Sequence, residues 1–133
     1  MDTTTLLKAA AVWLGILVLA TANGVLREAV LLPRLGQRAA LVASGLLLSA
    51  CILGVALASA PWMGADDAAA SWRIGVFWLA TTVAFELALG RLQRKSWSEL
   101  ARAYTFDGGN LWPLVLVVTL VAPWLAARVR GLA

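Results

Sequence analysis

Asn23-Gly24-Val25-Leu26-Arg27-Glu28 closes the first long apolar run of the chain, and its reading decides the fold. An amide, a guanidinium and a carboxylate appear there within two helical turns. A second carboxylate, Glu86, lies deep in a later apolar run, with twelve uncharged residues separating it from Arg73. In hydrocarbon an ionic side chain is costly, so each one needs a partner, a water-filled cavity or a function.

Composition points to hydrocarbon as the surrounding medium. Of the 133 residues, 62% are hydrophobic and 14% are charged, and the mean hydropathy is +0.85. Soluble domains carry about 25% charged residues, and a chain this apolar could not cover a soluble surface. A lipid bilayer is therefore the expected partner. The net charge of +4 would suggest nucleic acid in a soluble protein. Here most basic residues fall at the ends of apolar runs, where headgroups and orientation account for them, and no nucleic-acid partner is expected. There is no histidine and one cysteine. That excludes imidazole-ligated haem or copper, a His-based triad and a Cys₂His₂ zinc site. No catalytic residue, metal or cofactor is expected, and Cys51 reads as a small core residue rather than a redox thiol.

Four apolar runs are predicted to form helices over about 6–32, 39–62, 72–92 and 111–129, each near the ~20 residues that cross a bilayer. The expected fold is all-α: one integral membrane domain over 1–133, a four-transmembrane-helix bundle with a short interfacial helix at about 97–104. Ala20-Thr21-Ala22 resembles a signal-peptide cleavage site. Asp2 balances Lys8, however, so the first run reads as a spanning helix. Pro33 is expected to stop that helix, because proline disfavours helix at the preceding residue. Pro33 to Arg38 then forms a short basic loop. In the second run, small residues recur four apart at Gly45 and Ser49 and at Ala50, Gly54 and Ala58. Such spacing lets helix backbones approach closely, either within the bundle or across a homodimer. Pro61 to Ser71, with Asp66 and Asp67, is the expected second loop, and Ser71 can cap the third helix. On that helix Leu79, Thr82, Glu86 and Gly90 share one face, predicted to point inward.

Ser96-Trp97-Ser98-Glu99 fits a capping box. Trp97, Leu100, Ala101 and Tyr104 follow at helical spacing, so a short amphipathic helix is expected in the interfacial plane. Asn110 is the expected cap of the fourth helix, with Pro113 in its first turn and a kink at Pro123. Trp97, Tyr104 and Trp112 are expected interfacial anchors, while Trp13 and Trp78 fall within runs and pack in the core or face lipid.

Four spans place both termini on one side. The side bearing loops one and three carries seven basic residues and the terminal side four, so the loops are expected in the cytoplasm and the termini outside. Runs one and three then travel in the same direction. Asn23, Arg27 and Glu86 share a depth, and Arg27 or Asn23 is expected to contact Glu86. Glu28, about 100° round from Arg27, is expected to face headgroups or the Arg34–Arg38 loop. Asn23, Arg27, Glu28 and Glu86 form the candidate intramembrane polar cluster.

The small multidrug and fluoride-channel families use a similar four-helix architecture, but the likeness ends there: no glutamate lies between Asp2 and Glu28. Asn23-Gly24, Leu26-Arg27-Glu28, Pro33-Arg34-Leu35-Gly36, Phe85-Glu86, Ser96-Trp97, Leu100, Tyr104, Leu111-Trp112 and Pro123 together resemble a group of small bacterial four-helix integral membrane proteins. That resemblance implies a multi-pass fold, a bacterial inner-membrane location and a site, without implying a reaction. Two functions are expected from these features. The first is a non-enzymatic accessory or structural component of a membrane complex. The alternative is a transporter or channel for a small solute, proton or ion that uses the Glu/Arg/Asn cluster.

Overall fold

The computed structural model describes residues 3–64, 67–102 and 104–132, with the side chain of Asp107 set aside. Expectations that fall on Asp2, Asp66 and Ala103 lie outside the described residues. Every regular element described is helical. They are α1 (Thr3–Leu35), α2 (Gln37–Met63), α3 (Ala68–Leu92), α4 (Trp97–Arg102) and α5 (Trp112–Val129). Four of them, α1, α2, α3 and α5, are long and apolar enough to cross a membrane.

Several boundaries differ from expectation, each for a local reason. Pro33 does not end α1. A π-helical turn over Arg27–Leu31 precedes it, with the Leu32 N–H donating to the Arg27 carbonyl, and one more α-helical turn carries the chain to Leu35. Widening the turn makes room for a pyrrolidine ring that would otherwise press on the preceding turn, and Leu32 keeps helical angles of −61° and −49°. The stop is Gly36 at φ 83°, a conformation open to glycine. The expected loop over 33–38 therefore contracts to one residue. Pro61 likewise sits inside the last turn of α2, which ends at the left-handed Gly64. Asp67, not Ser71, caps α3: its carboxylate accepts the Ala70 N–H at 2.7 Å. Ser71 is buried within the first turn and donates its hydroxyl to the Asp67 carbonyl at 3.0 Å.

The serine half of the capping box forms as expected, with Ser96 Oγ accepting the Glu99 N–H at 3.2 Å, while the Glu99 carboxylate accepts from the Ser96 hydroxyl at 3.4 Å. The helix it starts ends at Arg102, so Tyr104 lies in a turn beyond it. Asn110 Oδ1 accepts the Trp112 N–H at 3.2 Å, and α5 then runs through Pro123 to Val129.

Helix α5 packs between α2 and α3, α1 lies along α2, and α1 and α3 touch only lightly. The buried stripe of α2 is Ala40, Ser44, Leu48, Ile52, Ala56 and Ala60, one at every fourth position. The two sets of small residues on that helix part company. Gly45 faces Leu111, where an added Cβ would come within 2.6 Å of the leucine Cβ, and Ser49 is buried. Ala50, Gly54 and Ala58 are exposed. On α3, Gly75 meets the Leu120 carbonyl of α5 and Gly90 meets Leu100 of α4, so both glycines set close approaches that a side chain would fill.

Two indoles cross the light α1–α3 seam. Trp78, with no exposed surface, donates its N–H to the Ala9 carbonyl at 3.0 Å, and Trp13 donates to Thr82 Oγ1 at 2.9 Å. Other tryptophans mark the two ends. Trp72 stacks on Trp124 with ring centroids 5.5 Å apart, and the Lys8 ammonium lies 5.3 Å above the Trp62 ring. At the opposite end the Arg91 guanidinium lies 4.8 Å above Trp97, which is 62% exposed.

Candidate functional site

Asn23 lies on the buried face of α1, seven residues after Ile16 and fourteen after Ala9, at only 7% exposure. Across from it is Ser44, on the stripe of α2. Asn23 Nδ2 donates to the Ser44 carbonyl at 3.1 Å, and the Ser44 hydroxyl donates back to Asn23 Oδ1. The same hydroxyl accepts from Arg27 Nη1 at 3.3 Å, while Arg27 Nε reaches Glu28 Oε1 at 3.4 Å. Arg27 opens the π-helical turn, and widened turns of this kind are frequent at functional sites. The amide and hydroxyl thus satisfy each other between α1 and α2, and the guanidinium joins them through Nη1.

This arrangement corrects the expected pairing. Among the described residues, no hydrogen bond or ion pair joins Arg27 or Asn23 to Glu86. Glu28 does turn outward, with 64% of its side chain exposed, but its partner is Arg27 and not Arg34 or Arg38. Removing Asn23 or Ser44 alone leaves the other with unmet polar atoms in a buried place. A double-mutant cycle on Asn23→Leu and Ser44→Ala, read by unfolding in detergent, should therefore return a coupling of about 1 kcal/mol. Strictly additive losses would show that the two groups do not depend on each other.

What brings Glu86 into the same site is a cavity of about 430 Å³ between the four long helices. Asn23 and Arg27 of α1, Ser44 of α2, Glu86 of α3 and Trp112 of α5 all line it. The groups face one space without touching. Trp13, Phe85, Leu48 and Val115 supply apolar and aromatic wall, with Trp13 and Phe85 edge to face at 6.1 Å between centroids. Thr21 on α1 and Phe85 and Leu89 on α3 are the exposed members of the lining, so the cavity opens along the α1–α3 seam.

Glu86 makes no hydrogen bond and no ion pair among the described residues. Lys95, exposed beyond the end of α3, is close enough to act on its charge. Tyr104 is its other neighbour. Burial raises the Tyr104 hydroxyl above its ordinary pKa, the Glu86 charge pushes the same way, and the nearby Trp112 N–H opposes both. The Tyr104 hydroxyl and Trp112 N–H are close but do not reach hydrogen-bond geometry, and both are buried without a partner. Of the three expected anchors, then, Trp97 projects outward, Tyr104 is half-buried, and Trp112 is a cavity wall.

Sequence reasoning did not select Ser44, Trp13 or Trp112 as members of the site, whereas Thr82 lines it from the face of α3 predicted to point inward. A serine among small residues, or an indole among apolar ones, carries no mark of the face it occupies. No His, Cys, Asp or Glu cluster of three or more forms among the described residues. No family model matches the chain, and no curated protein or solved structure matches it either.

Proposed function

We propose that this chain is a four-span integral membrane protein that binds a small solute or cation in the inter-helix cavity and moves it across the bilayer. One observation carries this reading: Glu86 is set in the cavity wall with no hydrogen-bond or ion-pair partner among the described residues, while Asn23 and Ser44 bond to each other and Arg27 bonds to Ser44 and Glu28. A clamp between helices would leave nothing over. An acidic group facing open space at membrane depth is instead what an ion or solute pathway needs.

The surrounding features support that setting. Helices α1, α2, α3 and α5 would span, with tryptophans at both ends at headgroup level. Helix α4, with Trp97 outward and Leu100 on the bundle, would lie in the interface, and the basic loops would face the cytoplasm of a bacterial inner membrane. The reading is tested in proteoliposomes. Flux of protons or of a small cation should be present with the wild-type chain and absent with Glu86→Gln. Equal flux in both would remove Glu86 from any pathway.

A second reading, an accessory subunit of a membrane complex, has its own support in the exposed stripe of Ala50, Gly54 and Ala58. Small residues there would admit another helix closely. A stoichiometric partner on mild-detergent purification, with no flux in liposomes, would favour it.

A further inference from the structure

We infer that the occupant of the cavity is an organic ammonium compound with an apolar body, not a bare ion. The inference rests on the solute-binding reading above and names the class of solute.

Three features of the wall select it. The first is the unmet charge. Glu86 offers an acceptor and a negative charge to the cavity and has no hydrogen-bond or ion-pair partner among the described residues. A ligand that meets it presents a cationic donor. The positive charge of Arg27 is paired with the Glu28 carboxylate at 3.4 Å. Lys95 lies outside the lining. The second is size: about 430 Å³ falls within the range of small-molecule sites and far exceeds what a desolvated ion fills. The third is the character of the remaining wall. Trp13, Phe85 and Trp112 are aromatic, and aromatic faces attract ammonium groups as well as apolar surface. The mouth between Thr21 and Phe85 would admit such an amphiphile laterally from the bilayer.

The ammonium could belong to a free amine or to a lipid headgroup. The test uses purified full-length protein in detergent micelles and 2-amino-1-phenylethanol as the probe, with binding read by calorimetry. Saturable binding is expected. The uncharged 1-phenylethanol should not bind, and Glu86→Gln should weaken the probe by about tenfold or more, the worth of a charged hydrogen bond.

Gly24→Leu provides a variant that leaves Glu86 in place. Gly24 lines the cavity and is helical, and an added Cβ there meets only the end of the Arg27 side chain, at 3.8 Å. Filling the space from α1 should also weaken binding about tenfold. Displacement of the probe by phosphatidylethanolamine, but not by phosphatidylglycerol, would identify a lipid headgroup as the source, and lack of displacement a free amine. If the alcohol binds as well as the amine, or Gly24→Leu binds the amine unchanged, the ligand class is wrong. Glu86-dependent flux of protons or sodium without amine binding would overturn this inference and leave the proposed function standing. Absence of both would end both.

Discussion

Replacing Gly75 with alanine should destabilise the bundle by about 1–3 kcal/mol, although alanine is the better helix former by about 1 kcal/mol. The two effects oppose each other, and the geometry decides between them. A Cβ at Gly75 would drive into the Leu120 carbonyl of α5, closer than real side-chain contacts allow. The obstacle is backbone, so no rotamer change relieves it, and α3 and α5 must separate. Leu120 directly follows Thr119, which lines the cavity, so separation would reach the site. Gly54 on α2 supplies the internal comparison: it is exposed and helical, and nothing lies within 4 Å of an added Cβ. Gly54→Ala should stabilise by about 0.5–1 kcal/mol. Thermal unfolding in detergent should thus move the two variants in opposite directions. A Gly75→Ala protein at least as stable as Gly54→Ala would mean that α3 and α5 do not meet at Leu120.

The sign difference between two glycines of like sequence context shows what the sequence could and could not convey. That four long helices form is legible from apolar length alone, and the structure has them. Which face of each helix turns inward is much less legible. Amphipathic helices advertise their buried side by contrast with a polar one. These helices are apolar all round, so that contrast is missing. On α2 small residues occur on both faces, and spacing alone could not separate Gly45 and Ser49, which are packed, from Ala50, Gly54 and Ala58, which are not. The polar cluster shows the same division. Depth follows from counting along a helix, and Asn23, Arg27 and Glu86 do line one cavity. Azimuth does not follow, so the expected contact of Arg27 or Asn23 with Glu86 on α3 is absent among the described residues, and Ser44 on α2 holds both. The boundary errors at Pro33 and Pro61 share another cause. Proline weakens a helix locally, but a long apolar helix can absorb the loss with a widened turn or within its last turn.

Trp78→Ala should cost about 3–5 kcal/mol, the usual range for deleting a large buried aromatic side chain. Trp78 is fully buried, and it is also one of two indoles that cross the seam where α1 and α3 otherwise touch lightly. Its loss removes dispersion contacts on every side and the hydrogen bond to the Ala9 carbonyl. Trp78→Phe separates these contributions. It keeps most of the ring and loses the N–H, so it should cost about 1–2 kcal/mol. One turn further along α3, Thr82 receives the Trp13 N–H, and one turn beyond that is Glu86. The indoles therefore fix the seam just above the place where the cavity opens between Thr21 and Phe85. Trp78→Ala should accordingly reduce Glu86-dependent flux even at temperatures where the protein stays folded. Trp78→Phe should leave that flux near the wild-type level. Flux that survives Trp78→Ala in a stably folded protein would show that the mouth of the cavity does not depend on how tightly α1 is held to α3.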